Sequence, residues 1–221
     1  SAAASPHVAL LEAALASEDE DKSTHMLTAA GVLPKVSAQL RKPACAAAAA
    51  LATLGSTSAP KLVDRLSSKD WEIRAAAVNA LSKLGADSTR FELQIVEMLK
   101  DPSPVVVASA CQALGEMAAS LGAASASTAG SVAELLDDQQ PSVRASAAAS
   151  LGCMGDEAEC FLEPLAKLFH DKAWPVQIAA IKTVAGCGEL GQMYASDVCR
   201  LIFDGSARVR MAACEALTQM G

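Results

Sequence analysis

The stretch Asp138-Gln139-Gln140-Pro141-Ser142-Val143-Arg144-Ala145-Ser146-Ala147 decides the fold, because it returns as Asp204-Gly205-Ser206-Ala207-Arg208-Val209-Arg210-Met211-Ala212-Ala213. An earlier copy reads Asp70-Trp71-Glu72-Ile73-Arg74-Ala75-Ala76-Ala77. With Leu51, Leu81, Leu114, Leu151, Val184 and Leu217 as equivalent marks, neighbouring copies are 30, 33, 37, 33 and 33 residues apart. Self-similarity at a period of ~20–50 residues is the signature of a stacked repeat, not of a fold with one buried centre.

Each copy reads as two antiparallel helices. The first carries Leu62 and Leu66, Ile95 and Leu99, Val132 and Leu136, Leu165 and Phe169, or Val198 and Ile202, a spacing that puts both side chains on one helical face. Asp101, Asp138, Asp171 and Asp204 share one column in the turn, with Asp70 offset, and are expected to accept from free N–H groups at the next helix start. The second helix opens with Ile73-Arg74, Val106-Val107, Val143-Arg144, Val176-Gln177 or Val209-Arg210 and continues through Ala-rich runs that permit close approach. Gly85, Gly155, Gly188 and Gly221 are expected as its permissive C-terminal caps.

Two places break the rhythm. The longest copy holds Ser120-Leu121-Gly122-Ala123-Ala124-Ser125-Ala126-Ser127, which reads as an exposed, mobile connector. The amino-terminal part fits poorly: residues 1–30 read as a cap or worn repeat and 31–55 as a degenerate repeat, before five clear repeats over 56–221. The expectation is an all-α, single-domain solenoid over 1–221, built from about six stacked antiparallel helix pairs.

The quoted segments resemble the HEAT-repeat family, specifically its short Ala-rich, phycobilin-lyase-like version. The resemblance spans residues 56–221 well and 31–55 weakly. It departs where Val107 and Gln177 stand in the Arg column, so an Asp–Arg ladder between repeats would be interrupted there.

Composition agrees: 52% of residues are hydrophobic and only 3% aromatic, as packed short helices require. A net charge of −7 argues against a general nucleic-acid binder, which needs clustered Lys and Arg to displace phosphate counterions. The acidic run Glu18-Asp19-Glu20-Asp21 reads as a solvated loop or a dock for a basic partner. Seven cysteines, at 45, 111, 153, 160, 187, 199 and 214, form no C-x-x-C and read as buried, reduced thiols. The expected location is therefore an intracellular, reducing compartment, cytoplasmic or organellar after loss of a transit segment. No uncharged apolar stretch of ~18 residues suggests membrane insertion. Opening at Ser1 and closing at Gly221 suggest an excised or processed piece.

Routes to chemistry find little support, and the expectation is no enzyme, no cofactor, no metal and no catalytic residue. Di-iron hydroxylases on this architecture use His-Glu pairs, but none of His7, His25 and His170 precedes a Glu. A bilin lyase would hold a tetrapyrrole against Tyr, Trp or acids; Trp71, Trp174 and Tyr194 form no evident constellation. Gly186-Cys187-Gly188-Glu189-Leu190-Gly191 imitates a dinucleotide motif but follows a helix instead of a strand.

What remains is binding. Trp71 and Trp174 share a column and read either as hydrophobic staples or as partner anchors. The segment around Trp71 also resembles the tubulin-binding TOG class of HEAT arrays, although later turns bring Asp instead of Lys. Two rows on the second helices read as solvent-facing: Asn79, Gln112, Ala149, Lys182 and Glu215, then Lys83, Glu116, Cys153, Gly186 and Gln219. The leading expectation is a scaffold or adaptor whose partner is another protein, touching Trp71, Asn79, Lys83, Gln112, Glu116, Trp174, Lys182 and Glu215 along one solenoid face. Alternatives are a structural subunit of a large assembly, a phycobilin-lyase-like module and a TOG-like tubulin binder.

Overall fold

A computed structural model describes residues 13–14, 59–121 and 126–221. Apart from residues 13–14, the cap and degenerate repeat expected over residues 1–55, with Leu51, Cys45 and the acidic run, lie outside the described residues. Contacts divide the chain into two compact units, Ser1–Met98 and Leu99–Gly221.

In the first unit, helix α1 (Ala59–Arg65) packs against α2 (Trp71–Ser82), and a 3-10 segment (Gly85–Phe91) leads into α3 (Glu92–Glu97). Asp70 is the N-cap of α2, its carboxylate accepting the Glu72 N–H at 2.9 Å. Ser68 occupies the column held elsewhere by Asp, and its hydroxyl accepts the Asp70 N–H at 3.2 Å. The apparent offset of Asp70 is therefore a Ser substituted in the column, followed by an independent cap. Leu62, Val78, Leu81 and Ile95 are fully buried.

The second unit places its second helices side by side: α4 (Pro104–Leu121) on α6 (Pro141–Gly152), α6 on α8 (Trp174–Gly186), and α8 on α11 (Ala207–Met220). The first helices α5 (Ala126–Ala133), α7 (Leu162–Lys167) and α10 (Ala195–Arg200) form the other layer, and short α9 (Gly188–Gln192) packs on α8 and α11. Every described regular element is helical, and the architecture is an α-solenoid.

The marks Leu114, Leu151 and Val184 sit in the cores of α4, α6 and α8, each no more than 2% exposed. Burying such a side chain contributes about 1.5–3 kcal/mol. The helix-one pairs straddle a change of geometry: Leu165 lies in α7, whereas Phe169 lies in the 3-10 segment Leu168–His170. At the last repeat Ile202 and Leu217 are only half-buried.

Three local expectations are corrected. The column Asp101, Asp138, Asp171 and Asp204 does not cap the second helices; each carboxylate accepts the N–H two residues on, at 2.7–2.8 Å, fixing the turn just before the helix. Gly85 and Gly155 take φ of +64° and +63°, but they stand past the C-cap residues Lys83 and Cys153, where the chain turns toward the next repeat. The connector is shorter than expected, since Ser120 and Leu121 continue α4 to 18 residues and Ala126-Ser127 open α5; Gly122 to Ser125 lie outside the described residues.

Helix α4 is also long and apolar enough by composition to cross a membrane, although Glu116 lies within it. Half of it is buried in the protein, with Val106, Val107, Ala110 and Leu114 in the core, and this packing accounts for its hydropathy.

Candidate functional site

The exposed face of the second helices is set by how each of them enters its repeat. Arg74, Arg144 and Arg210 each use Nη1 to donate to two carbonyls of their own turn, at 2.7–3.2 Å. Carbonyls that would otherwise be left without a partner are thereby satisfied. Arg144 does more: its Nε and Nη2 donate to both carboxylate oxygens of Asp171 in the next repeat, at 2.8 and 2.9 Å. The ladder is interrupted on both sides, as the column predicts. Val107 has no donor to offer, and Gln177 spends its amide on the Phe169 carbonyl at 3.0 Å.

This pair is largely out of water, with the Arg144 and Asp171 side chains 15% and 8% exposed. Burial pushes the Asp171 carboxyl up, but the Arg144 fork, the Ala173 N–H and nearby positive charge outweigh it, so its pKa falls below the ordinary value. The hydrogen bonds to Asp171 raise the Arg144 pKa in turn.

Helix spacing is set by small residues that the periodicity left unremarked. The Ser150 hydroxyl donates to the Cys111 carbonyl at 2.6 Å, and the Thr183 hydroxyl to the Ala148 carbonyl at 2.7 Å, both buried across adjacent second helices. They face glycines: a Cβ on Gly115 would lie 3.0 Å from Ser150 Cα, and one on Gly152 only 2.7 Å from Thr183 Oγ1. The available signal was the Gly directly after the mark in Leu114-Gly115 and Leu151-Gly152, paired with a hydroxyl one residue before the next mark.

On the solvent side of this close packing, α4 and α6 enclose a groove of about 400 Å³. Helix α4 contributes Gln112, Gly115 and Glu116; α6 contributes Ala145, Ala149 and Cys153. The structure thus brings two predicted residues together, with Gln112 Nε2 donating to Glu116 Oε1 at 2.9 Å. It brings a second predicted pair together across a repeat boundary, Lys182 Nζ lying 3.8 Å from Glu215 Oε2. All four side chains are exposed. In the first unit, Lys83 is exposed at the C-cap of α2, whereas Asn79 is half-buried.

Trp71 and Trp174 are each 42% exposed and are the first residues of α2 and α8. A hydrophobic staple requires a residue before the N-cap, so neither is one. Instead the Arg208 guanidinium lies 4.3 Å from the Trp174 ring centroid, a cation–π contact that covers one face of the indole.

The thiols differ from expectation. Cys111 and Cys187 are buried, but Cys153, Cys160, Cys199 and Cys214 are exposed, because they fall at a helix end, on first-helix segments or on the last helix. Burial pushes the Cys111 thiol up to about 12 and raises Cys187, opposite to what a reactive thiolate needs. No group of three or more His, Cys, Asp or Glu placed to hold a metal occurs among the described residues.

Comparison with curated proteins finds no match. Among solved structures, the chain is similar to computationally designed armadillo repeat proteins for modular peptide recognition, with TM-score 0.56, 18% identity and coverage of 96% of this chain and 98% of that one. It is similar to the complex of CpcE and CpcF of phycocyanin lyase from Nostoc sp., with TM-score 0.58, 21% identity and coverage of 72% and 98%. The karyopherin Kap121p bound to the extreme C-terminus of the protein phosphatase Cdc14p gives TM-score 0.70 at 20% identity, covering 97% of this chain but only 25% of the karyopherin. At such identities the likeness concerns the fold. The model of HEAT repeats matches residues 31–94 and 92–185, well over half of the sequence, and the chain belongs to the HEAT-repeat family.

Proposed function

We propose that this protein is a non-enzymatic scaffold that binds another protein along the exposed face of its second helices. The observation that carries the reading is the groove between α4 and α6, walled by Gln112 and Glu116 and floored by Ala145 and Ala149, beside the Lys182–Glu215 pair. Polar side chains over a small-residue floor offer contacts to a segment of another protein, and burial raises the Cys111 and Cys187 thiols away from nucleophilic use. Support comes also from folds of this kind that hold peptides or proteins, as in the designed armadillo repeats and the Kap121p complex. Four exposed thiols suit a reducing compartment.

A tubulin-type contact through the Trp71 turn is less favoured, since Arg74 is committed to the carbonyls of Ser68 and Lys69. A lyase-like role rests on fold alone. A structural-subunit role has one observation in its favour: Leu93, Met193 and Phe203, on or beside first-helix segments, are 77%, 75% and 84% exposed.

Photo-crosslinkers placed singly at Ala149, Lys182 and Gln219, and for contrast at Lys167 and Arg200 on first helices, separate the readings in native extract. Adducts to another protein from the first three positions alone are expected. Adducts from Lys167 and Arg200 alone would favour the structural subunit, and none at the second-helix positions would end the scaffold reading.

A further inference from the structure

We draw no further inference here: the strongest candidate, the exposed surface patch on the turns that open α8 and α11, where Arg208 covers one face of Trp174 and Lys172 is exposed in the turn before it, restates the tryptophan-and-basic-residue turn of the TOG class, and nothing in the structure shows what covers it.

Discussion

The Arg144–Asp171 tie between α6 and α8 lends itself to a double-mutant cycle, because the array supplies its own benign replacement. Gln177 holds the Arg column one repeat later and reaches the Phe169 carbonyl, eight residues back, at 3.0 Å. Arg144→Gln should likewise reach the Leu136 carbonyl and keep the turn, while losing the bond to Asp171. Asp171→Asn keeps the oxygen that accepts the Ala173 N–H at 2.8 Å and so preserves the other turn. The cycle then isolates the tie between repeats. Exposed pairs are worth up to about 1 kcal/mol, and breaking a buried one costs about 3–5 kcal/mol. With two bonds of 2.8 and 2.9 Å and side chains 15% and 8% exposed, this pair lies between those limits. We place its coupling energy at about 2 kcal/mol, equivalent to a melting shift of ~4–8 °C in a domain of this size.

The pH dependence has a definite sign. The Asp171 pKa is lowered on folding, so its contribution is fully present above the ordinary carboxylate pKa of about 3.9 and disappears as pH falls through the lower folded value. Melting curves of wild type, both single variants and the double variant at pH 7 and pH 3 provide the assay, with structure retained at pH 3 as a checked condition. A coupling below about 0.5 kcal/mol at pH 7, typical of ordinary surface pairs, would refute the argument. Equal coupling at both pH values would refute the assignment to the ionised carboxylate.

Three further outcomes follow from the packing. Gly115→Ala should lower stability by about 1–2 kcal/mol, since overpacking against Ser150 Cα at 3.0 Å outweighs a helix-propensity gain of under ~1 kcal/mol; a stabilised variant in urea melts would contradict this. Leu151→Asp should cost several kcal/mol or prevent folding, whereas Leu217→Asp at the half-buried final mark should cost about half as much or less; equal losses in thermal melts would mean the register is wrong. Brief alkylation at pH 8 followed by peptide mass mapping should modify Cys153, Cys160, Cys199 and Cys214 well before Cys111 and Cys187; early modification of Cys111 would contradict its burial and its thiol at about 12.

The architecture was legible because each of its determinants leaves a periodic trace. An aliphatic mark every repeat, a pair four apart on the first helix and an Asp in each turn report a buried stripe and a fixed corner, and the helix starts at Trp71, Pro104, Pro141, Trp174 and Ala207 keep that rhythm. What periodicity cannot encode is the identity of cross-repeat partners. The Asp and Arg columns suggested a ladder between repeats, but not that Arg144 and Asp171 form a buried bidentate pair, because that depends on the side chain facing Arg144 from another helix. The hydroxyls of Ser150 and Thr183 were hidden similarly, since serine and threonine in a helix ordinarily suggest solvent. Of the two readings of Trp71 and Trp174, the staple fails because a shift of two residues at a helix start changes their role, and sequence boundaries are least secure there.

These same cross-repeat contacts bear on binding. The α4–α6 joint that holds the groove has no Asp–Arg tie, because Val107 cannot reach for Asp138; its spacing depends on Gly115 against Ser150 and on the hydroxyl bond to Cys111. Groove depth is the complement of that spacing: Ala145 and Ala149 leave room outside for the reason Gly115 allows approach inside, namely a lack of side chain. Stability and recognition are therefore coupled at Gly115. Adding its methyl group should push α6 from α4, and so alter the groove even though its walls are chemically unchanged. Gly152 makes the corresponding close approach to Thr183 at the α6–α8 joint, where the Arg144–Asp171 tie also resists separation. Gly152→Ala should consequently disturb the groove less than Gly115→Ala does, and comparing the two variants distinguishes a groove set by local helix spacing from one set by the array as a whole.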